Sequence, residues 1–180
     1  SPRTNDTLAL EPCRVPRSAI PALCGTYRVF EDHESRSGPT IDLSIVVVPA
    51  RERQKKADPV FFLAGGPGQS ATMAAPLVLM SALEQVRRDR DIVFVDARGT
   101  GSSGRLACDL GGDLLADVLR PTFSIERVRA CRAALASDNA GSPPDLTKYT
   151  TPIAADDLDE VRAALGYERI NLVGASYGTR

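Results

Sequence analysis

The residues most clearly able to do chemistry in this sequence form the pattern Gly-x-Ser-x-Gly at positions 174–178. The pattern directly follows residues 170–173, a largely apolar run that predicts a buried strand. A serine in this setting is typical of a sharp strand-to-helix turn that presents a nucleophile. Gly174 and Gly178 would leave room where a Cβ atom would clash. The N–H groups and dipole of the following helix would favour a developing oxyanion. We therefore predict that Ser176 is the nucleophile of an acyl-transfer reaction.

Two further glycine-bearing turns are predicted at the same edge of the sheet. Residues 65–68 follow the apolar run at 60–63, and residues 99–104 follow the apolar run at 91–95. Ligands of α/β sheets bind beyond the carboxyl ends of the strands, so we expect these turns to lie beside Ser176. Their convergence is stronger evidence for a site than any one of the motifs.

An oxyanion site of this kind needs two backbone donors. One N–H comes from the residue after the nucleophile and the other from an earlier strand–helix loop. We assign the first donor to Tyr177. We assign the second to Gly66, because the neighbouring Pro67 has no N–H to donate.

The elements that would position these residues alternate along the chain. Residues 1–25, rich in Pro and Arg, are predicted to be an irregular lead-in to a domain that spans residues 26–180. Early strands followed by strand–helix units indicate an α/β fold whose sheet is parallel over its later part. Pro76 is expected to begin or kink the first helix. The predicted strands are residues 26–30, 40–48, 60–63, 91–95 and 170–173, and the predicted helices are residues 71–88, 124–136 and 151–165.

Composition excludes several classes of partner. The 22 basic and 23 acidic residues give a net charge of −1, which provides no electrostatic case for binding nucleic acid or an anionic membrane surface. No apolar run approaches the ~18 residues of a membrane-spanning helix. The single histidine and the lack of a Cys-x-x-Cys pair give poor support to a metal site. We predict neither a metal nor a cofactor.

The four cysteines are Cys13, Cys24, Cys108 and Cys131. Their even number and spacing favour two local disulfides, Cys13–Cys24 and Cys108–Cys131, each stabilising the fold by roughly 3 kcal/mol on a chain-entropy model. The other two connectivities, and four buried thiols in a cytosolic protein, remain open. The oxidised form implies a secreted or periplasmic protein.

Three motifs together resemble a known group of enzymes. They are Gly-Gly-Pro-Gly-x-Ser at residues 65–70, Asp-x-Arg-Gly-x-Gly-x-Ser at 96–103 and Gly-Ala-Ser-Tyr-Gly-Thr at 174–179. From about Cys24 to its end, the chain resembles the α/β-hydrolase fold peptidases of the prolyl aminopeptidase and tripeptidyl aminopeptidase group, and its exported, cysteine-containing branch looks closer. The resemblance implies the N-terminal part of such a domain, a Ser-His-Asp triad and a helical cap beyond the turn. It also implies that the substrate is a peptide, from whose amino end residues are released.

The resemblance assigns roles to the motif residues. Ser176 would be the nucleophile, with Gly66 and Tyr177 as oxyanion donors. Asp96 and Arg98 would brace the turn beside the site and take no part in the reaction. Ala64 departs from the pattern, because many prolyl members have histidine there, and this weakens a strictly prolyl assignment. The residues that would shape the loops around the site are Gly65, Pro67, Gly68, Asp96, Arg98, Gly99 and Gly101.

The acid and the histidine of such a triad follow the serine along the chain. His33 precedes Ser176 and lies in a polar stretch, so we interpret it as a solvated loop residue. Asp156 and Asp157 are interpreted as acids favoured at the beginning of a helix. We expect the remainder of the hydrolase, from the same precursor or as a second chain, to supply the acid and the histidine. It would also cover the sheet edge that would otherwise stay open.

Two other functions remain compatible with the sequence. A carboxylic-ester hydrolase on the same fold would use the same serine and the same donors. A non-catalytic, hydrolase-like binding protein would keep the fold and leave Ser176 inert.

Overall fold

The computed structural model of the chain describes residues 8–108, 124–136 and 143–180. The chain divides into two compact units, residues 1–105 with 148–180 and residues 106–147. Among the described residues, the first unit contains a six-stranded sheet and two α-helices, and the second contains one α-helix.

The elements follow the alternation that the sequence predicts. The strands are β1 (Glu11–Arg14), β2 (Pro21–Phe30), β3 (Thr40–Val48), β4 (Val60–Leu63), β5 (Ile92–Val95) and β6 (Asn171–Gly174). The helices are α1 (Ala71–Met80), α2 (Ile125–Ala136) and α3 (Thr151–Ala164), and single 3₁₀ turns lie at Val86–Arg88, Leu146–Lys148 and Ser176–Thr179. Helix α3 carries Pro152 in its first turn and is followed by Gly166 at φ +77°, as expected for its two ends.

The strands form one mixed sheet in the order β1-β2-β3-β5-β4-β6. The pairs β1–β2, β2–β3 and β3–β5 are antiparallel, whereas β4 runs parallel to both of its neighbours, β5 and β6. The predicted α/β fold, with a sheet that is parallel over its later part, is confirmed. Because β4 lies between β5 and β6, all three turns of the predicted site leave the same edge of the sheet.

Each face of the sheet carries its own apolar core. Phe62 points to the face covered by α1, where it packs with Ala75 and Leu79, whereas Phe61 points to the opposite face and packs with Val161 of α3. Burial of one such phenylalanine stabilises the fold by roughly 2–3 kcal/mol. Continuously apolar strands such as β4 are explained by these two covered faces.

The expected irregular lead-in over residues 1–25 is wrong for its described part. Residues 11–14 form β1, and β2 already begins at Pro21. These segments carry no strand signal in the sequence, because they are rich in proline and arginine. Proline is tolerated in β1 because this strand lies at the edge of the sheet. The first seven residues of the predicted lead-in lie outside the described residues.

The first helix is shorter than predicted. Helix α1 contains Pro76 and ends at Met80, and not at residue 88. The Leu83 N–H donates to the Val78 carbonyl at 3.0 Å, and the Leu83 side chain is 2% exposed. After Met80 the chain leaves the helix and turns towards the core, because burial of the apolar Leu83 side chain is favourable.

Both local disulfides are present. Cys13–Cys24 joins β1 to β2, with its Cα atoms 5.8 Å apart. In the other unit, Cys108–Cys131 ties the segment around residue 108 to α2, with its Cα atoms 5.3 Å apart. No helix among the described residues is long and apolar enough to cross a membrane.

Strand β6 is held at its beginning by the segment before β4. The Asn171 amide donates to the Asp58 carboxylate and to the Asp58 carbonyl, both at 3.0 Å, and Arg90 donates to the same carboxylate at 3.2 Å. These bonds fix β6 beside β4 from Val60↔Asn171 to Leu63↔Gly174. The other edge of β6 has no partner strand among the described residues.

This attachment should depend on pH. The bond from Asn171, followed by that from Arg90, lowers the pKa of Asp58 from 3.8 to about 2. A lowered folded-state pKa means that the contribution is fully present above pH 4, weakens as the pH falls from 4 to 2, and is lost below 2. We expect Asp58→Asn to lower the free energy of unfolding at pH 6 and to have much less effect at pH 2. Urea unfolding of both proteins across this range checks the prediction, and a difference that does not change with pH would contradict it.

Candidate active site

The turn after β6 places Ser176 in an unusual backbone conformation. Ser176 has φ +52°, a left-handed conformation that is uncommon for residues other than glycine and that costs conformational energy. The preceding Ala175 N–H donates to the Leu63 carbonyl at 3.1 Å, which ties the turn to the end of β4. The turn leads into a single 3₁₀ turn, Ser176–Thr179.

Both glycines of this pattern are required by packing. A Cβ atom on Gly174 would collide with the Gly178 carbonyl, and one on Gly178 would collide with the Leu63 carbonyl. Backbone atoms cannot move aside as the end of a flexible side chain can. The steric role that the sequence predicts for the two glycines is therefore confirmed.

The Gly65–Gly68 turn lies directly beside Ser176. A Cβ atom on Gly65 would lie 3.0 Å from the Ala175 carbonyl oxygen and 3.1 Å from the Ser176 Cβ. Gly66 has φ +110°, and a Cβ there would lie 2.8 Å from the Gly68 N atom. The Gly66–Pro67 peptide is cis. In the described part of the chain the Gly66 N–H donates to no other group, so it is available to an incoming ligand.

Asp96, fully buried after β5, links this turn to the neighbouring loop. Its carboxylate accepts from the Ser70 hydroxyl at 2.8 Å, from the N–H and the hydroxyl of Thr72 at 2.9 and 3.0 Å, and from the Ser102 N–H at 3.1 Å. Ser70 also caps α1 by accepting from the Met73 N–H. Gly101, at φ +49°, has no space for a Cβ because it packs against the Asp96 carboxylate. Asp96 thereby fixes the first turn of α1, which directly follows the Gly65–Gly68 turn.

Arg98, two residues further on, is held in the core by a carboxylate. Its side chain is 1% exposed, and Nε and Nη2 each donate to Asp157 of α3 at 2.7 Å. The remaining N–H groups donate to the carbonyls of Phe30, Glu31 and Lys148 at 2.8–3.3 Å. The pair joins the loop after β5 to α3. The interpretation of Asp157 as an acid favoured at the beginning of a helix is wrong, because α3 has no acidic residue in its first turn and the Asp157 side chain, paired with Arg98, is only 2% exposed. The neighbouring Asp156 is exposed.

His33 belongs to this same buried cluster. Its Nε2 lies 2.8 Å from an Asp157 carboxylate oxygen and 2.9 Å from Arg98 Nη2, and its side chain is only 14% exposed. Its Nδ1 lies 3.6 Å from the Glu160 carboxylate. The interpretation of His33 as a solvated loop residue is therefore wrong, because α3 and the β5 loop enclose it. No local signal in the sequence indicates this, since its partners lie 65 and 124 residues away.

Tyr149 completes the cluster on the side of Glu31. Its hydroxyl donates to the Glu31 carboxylate at 3.0 Å, and its ring lies 6.0 Å from the Arg98 guanidinium. Burial, followed by the bond to Glu31, raises the pKa of Tyr149 well above its usual range. Tyr149 therefore stays protonated across the physiological range and acts as a donor.

The Ser176 hydroxyl has no hydrogen-bond partner among the described residues. The nearby Tyr177 hydroxyl instead lies 2.9 Å from the Thr151 hydroxyl of α3. No group of three His, Cys, Asp or Glu side chains within residues 8–108, 124–136 and 143–180 is arranged to hold a metal ion. The described chain thus brings a strained serine and the glycine turns together, and it pairs its histidine elsewhere.

A cavity of about 910 Å³ lies beyond the Gly65–Gly68 turn. Its walls combine one face of β2 and β3 with Gly68, Ser70 and Ser102, and Glu11 and Arg105 contribute charge. Ser176 does not line it, and the hydroxyl of Ser70 is already bonded to Asp96. We therefore place the candidate active site at the turn that contains Ser176 and not in this cavity.

The sequence of this chain is similar to those of several known proteins. A sequence profile described as alpha/beta hydrolase fold matches residues 58–180. Serine protease Hip1 of Mycobacterium tuberculosis is 32% identical over 192 residues, which cover 99% of this chain and 36% of that protein. Tripeptidyl aminopeptidase of Streptomyces coelicolor is 31% identical over 168 residues, which cover 88% of this chain and 31% of that protein. This chain therefore spans about a third of the length of these relatives.

A solved structure of proline iminopeptidase from Mycobacterium smegmatis is also similar. The TM-score is 0.46 at 21% identity, over 85% of this chain and 36% of that one.

The buried pair Arg98–Asp157 can be tested against the exposed acid beside it. Asp157→Ala would leave a buried guanidinium without its carboxylate, so we expect the free energy of unfolding to fall by about 3–5 kcal/mol. Asp156→Ala, in the same helical turn, should change it by less than about 0.5 kcal/mol. Urea unfolding of the two variants provides the comparison. Equal effects would mean that the pair does not hold α3 in place.

Proposed function

Because this chain belongs to the α/β-hydrolase fold family, we propose that it carries the nucleophile and the oxyanion donors of a serine peptidase. The observation that carries the proposal is the conformation of Ser176, at φ +52° at the end of β6 and in contact range of Gly65. Strained backbone persists where the surrounding structure enforces it, and such positions cluster at catalytic sites. Ser176 is the nucleophile, held at a nucleophile elbow.

The oxyanion is held by two backbone N–H groups. Tyr177 provides the first, because it directly follows the nucleophile. Gly66 provides the second, since its N–H has no acceptor in the described part of the chain and its turn lies beside Ser176. Each donor lowers the barrier by roughly 3 kcal/mol. Gly65, Pro67, Gly68, Gly99 and Gly101 shape the loops that place these donors, and Asp96 and Arg98 brace those loops without touching the substrate.

The reaction is acyl transfer in two steps. A histidine takes the Ser176 proton as the serine oxygen attacks the scissile carbonyl. The same histidine then returns the proton to the departing amine as the C–N bond breaks. Water, activated by that histidine, hydrolyses the acyl-enzyme and regenerates the serine.

The histidine and its supporting acid come from the remainder of the hydrolase, whether in the same precursor or on a second chain. Three observations support this division. His33 is bonded to Asp157 and Arg98, the Ser176 hydroxyl has no partner among the described residues, and β6 lacks a second neighbour there. About two-thirds of the length of each relative lies outside the matched region, which is long enough to contain that remainder.

The substrate is a peptide, cut near its amino end. The name tripeptidyl aminopeptidase, borne by a relative that is 31% identical over 168 residues, supports this assignment. The two disulfides favour an oxidising compartment, so we place the protein outside the cytoplasm.

A fluorophosphonate probe, which reacts with activated serines, tests this proposal. We expect intact mass spectrometry of the non-reduced complete enzyme to show one label on Ser176. Ser176→Ala should abolish the label and lower peptidase turnover at least about 10³-fold. Ser37→Ala, which changes an exposed serine between β2 and β3, is the matched control and should label fully.

The substrates then separate the alternatives. Turnover of aminoacyl-p-nitroanilides with little hydrolysis of p-nitrophenyl esters supports a peptidase, and the reverse preference supports an esterase. A complete enzyme that takes no label would overturn the catalytic assignment and leave a binding protein.

A further inference from the structure

The residue after Ser176 makes a side-chain contact outside its own turn. The Tyr177 hydroxyl lies 2.9 Å from the hydroxyl of Thr151, the first residue of α3 and 26 positions earlier in the chain. On the amino side of the serine, the Ala175 N–H donates to the Leu63 carbonyl at 3.1 Å, whereas the other bonds of the turn are local. Gly178 N–H donates to Ala175 at 2.9 Å, and the Thr179 hydroxyl donates to the Ser176 carbonyl at 2.7 Å.

We propose that Thr151 is a positioning residue for the oxyanion site, and that it acts through the side chain of Tyr177. This inference rests on the proposed function, in which the Tyr177 N–H stabilises the oxyanion. The Tyr177 ring extends from the same Cα as that N–H. A fixed ring therefore limits rotation of the peptide between Ser176 and Tyr177, which is the peptide that carries the donor.

The carboxyl side of the turn needs such a contact because its own hydrogen bonds are local, whereas Ala175 on the amino side is tied to Leu63 of β4. Residues other than glycine disfavour the left-handed region in which Ser176 lies, so the carboxyl side of the turn would relax if no contact from another element opposed the change. Relaxation would rotate the Tyr177 N–H, and a donor displaced by a few tenths of an ångström serves the transition state less well.

Thr151 is a firm anchor for this contact. Helix α3 is fixed to the sheet by the buried Val161 and by the Asp157–Arg98 pair, whose two Arg–carboxylate bonds measure 2.7 Å. The beginning of α3 therefore keeps its place relative to β4 and β6. The contact between Thr151 and Tyr177 therefore holds the turn with the nucleophile in a fixed position relative to α3.

The test compares hydroxyl-removing and hydroxyl-retaining substitutions in the complete enzyme. We expect Thr151→Val to lower kcat and the rate of fluorophosphonate labelling about five- to tenfold, with KM nearly unchanged, because the lost interaction acts mainly in the transition state. Thr151→Ser keeps the hydroxyl and should restore both rates to within about twofold. Thr150→Val makes the same change at the preceding residue, whose side chain makes no capping bond, and should have little effect.

A double-mutant cycle identifies the partner. Tyr177→Phe should lose as much as Thr151→Val, and the combined variant should lose no more than either one alone. Additive losses, an effect on KM alone, or unchanged rates in Thr151→Val would each overturn the inference. The proposed function is judged separately, by whether the unaltered enzyme is labelled at Ser176.

Discussion

Parallel pairing of β4 with β6 is the interaction on which the rest of the site depends. The register from Val60↔Asn171 to Leu63↔Gly174 ends both strands at the same level, so the turns that follow them meet. Gly65 then lies where a Cβ would be 3.1 Å from that of Ser176, a separation that favours a residue without a side chain. A shift of one residue would turn every side chain of β6 to the opposite face and would separate the serine from the glycine turn.

The loop after β5 couples this edge of the sheet to the helices on both faces. Asp96 reaches the first turn of α1, where three neutral donors bond to its carboxylate, and the Ser102 N–H of its own loop provides a fourth. Arg98 reaches the other face and pairs with Asp157 of α3. Both groups are buried, and each is stable there only because its hydrogen-bonding capacity is met. Two charged residues of one loop thus fix helices α1 and α3 relative to the strand ends.

The site is built mainly from backbone. Its serine is held at positive φ by glycines that permit close approach, and its proposed donors are N–H groups. Such a site needs few special side chains, but each backbone segment must be placed accurately. Contacts from the surrounding elements, such as that between Thr151 and Tyr177, supply this placement. Chemical activation of the serine is a separate requirement, which the proposed function leaves to a histidine and an acid other than those of the described residues.

The sequence by itself determined the elements with strong local signals. Apolar runs marked β4, β5 and β6, and the pattern around Ser176 marked a turn whose glycines proved sterically necessary. Only the tertiary structure decided the rest. It made strands of the proline-bearing segments before residue 26, ended α1 at Met80, and brought His33 and Asp157 to Arg98. The physical reason is range. Periodicity and turn preferences act between near neighbours, whereas strand pairing, edge positions and buried charge pairs join residues tens to more than a hundred positions apart.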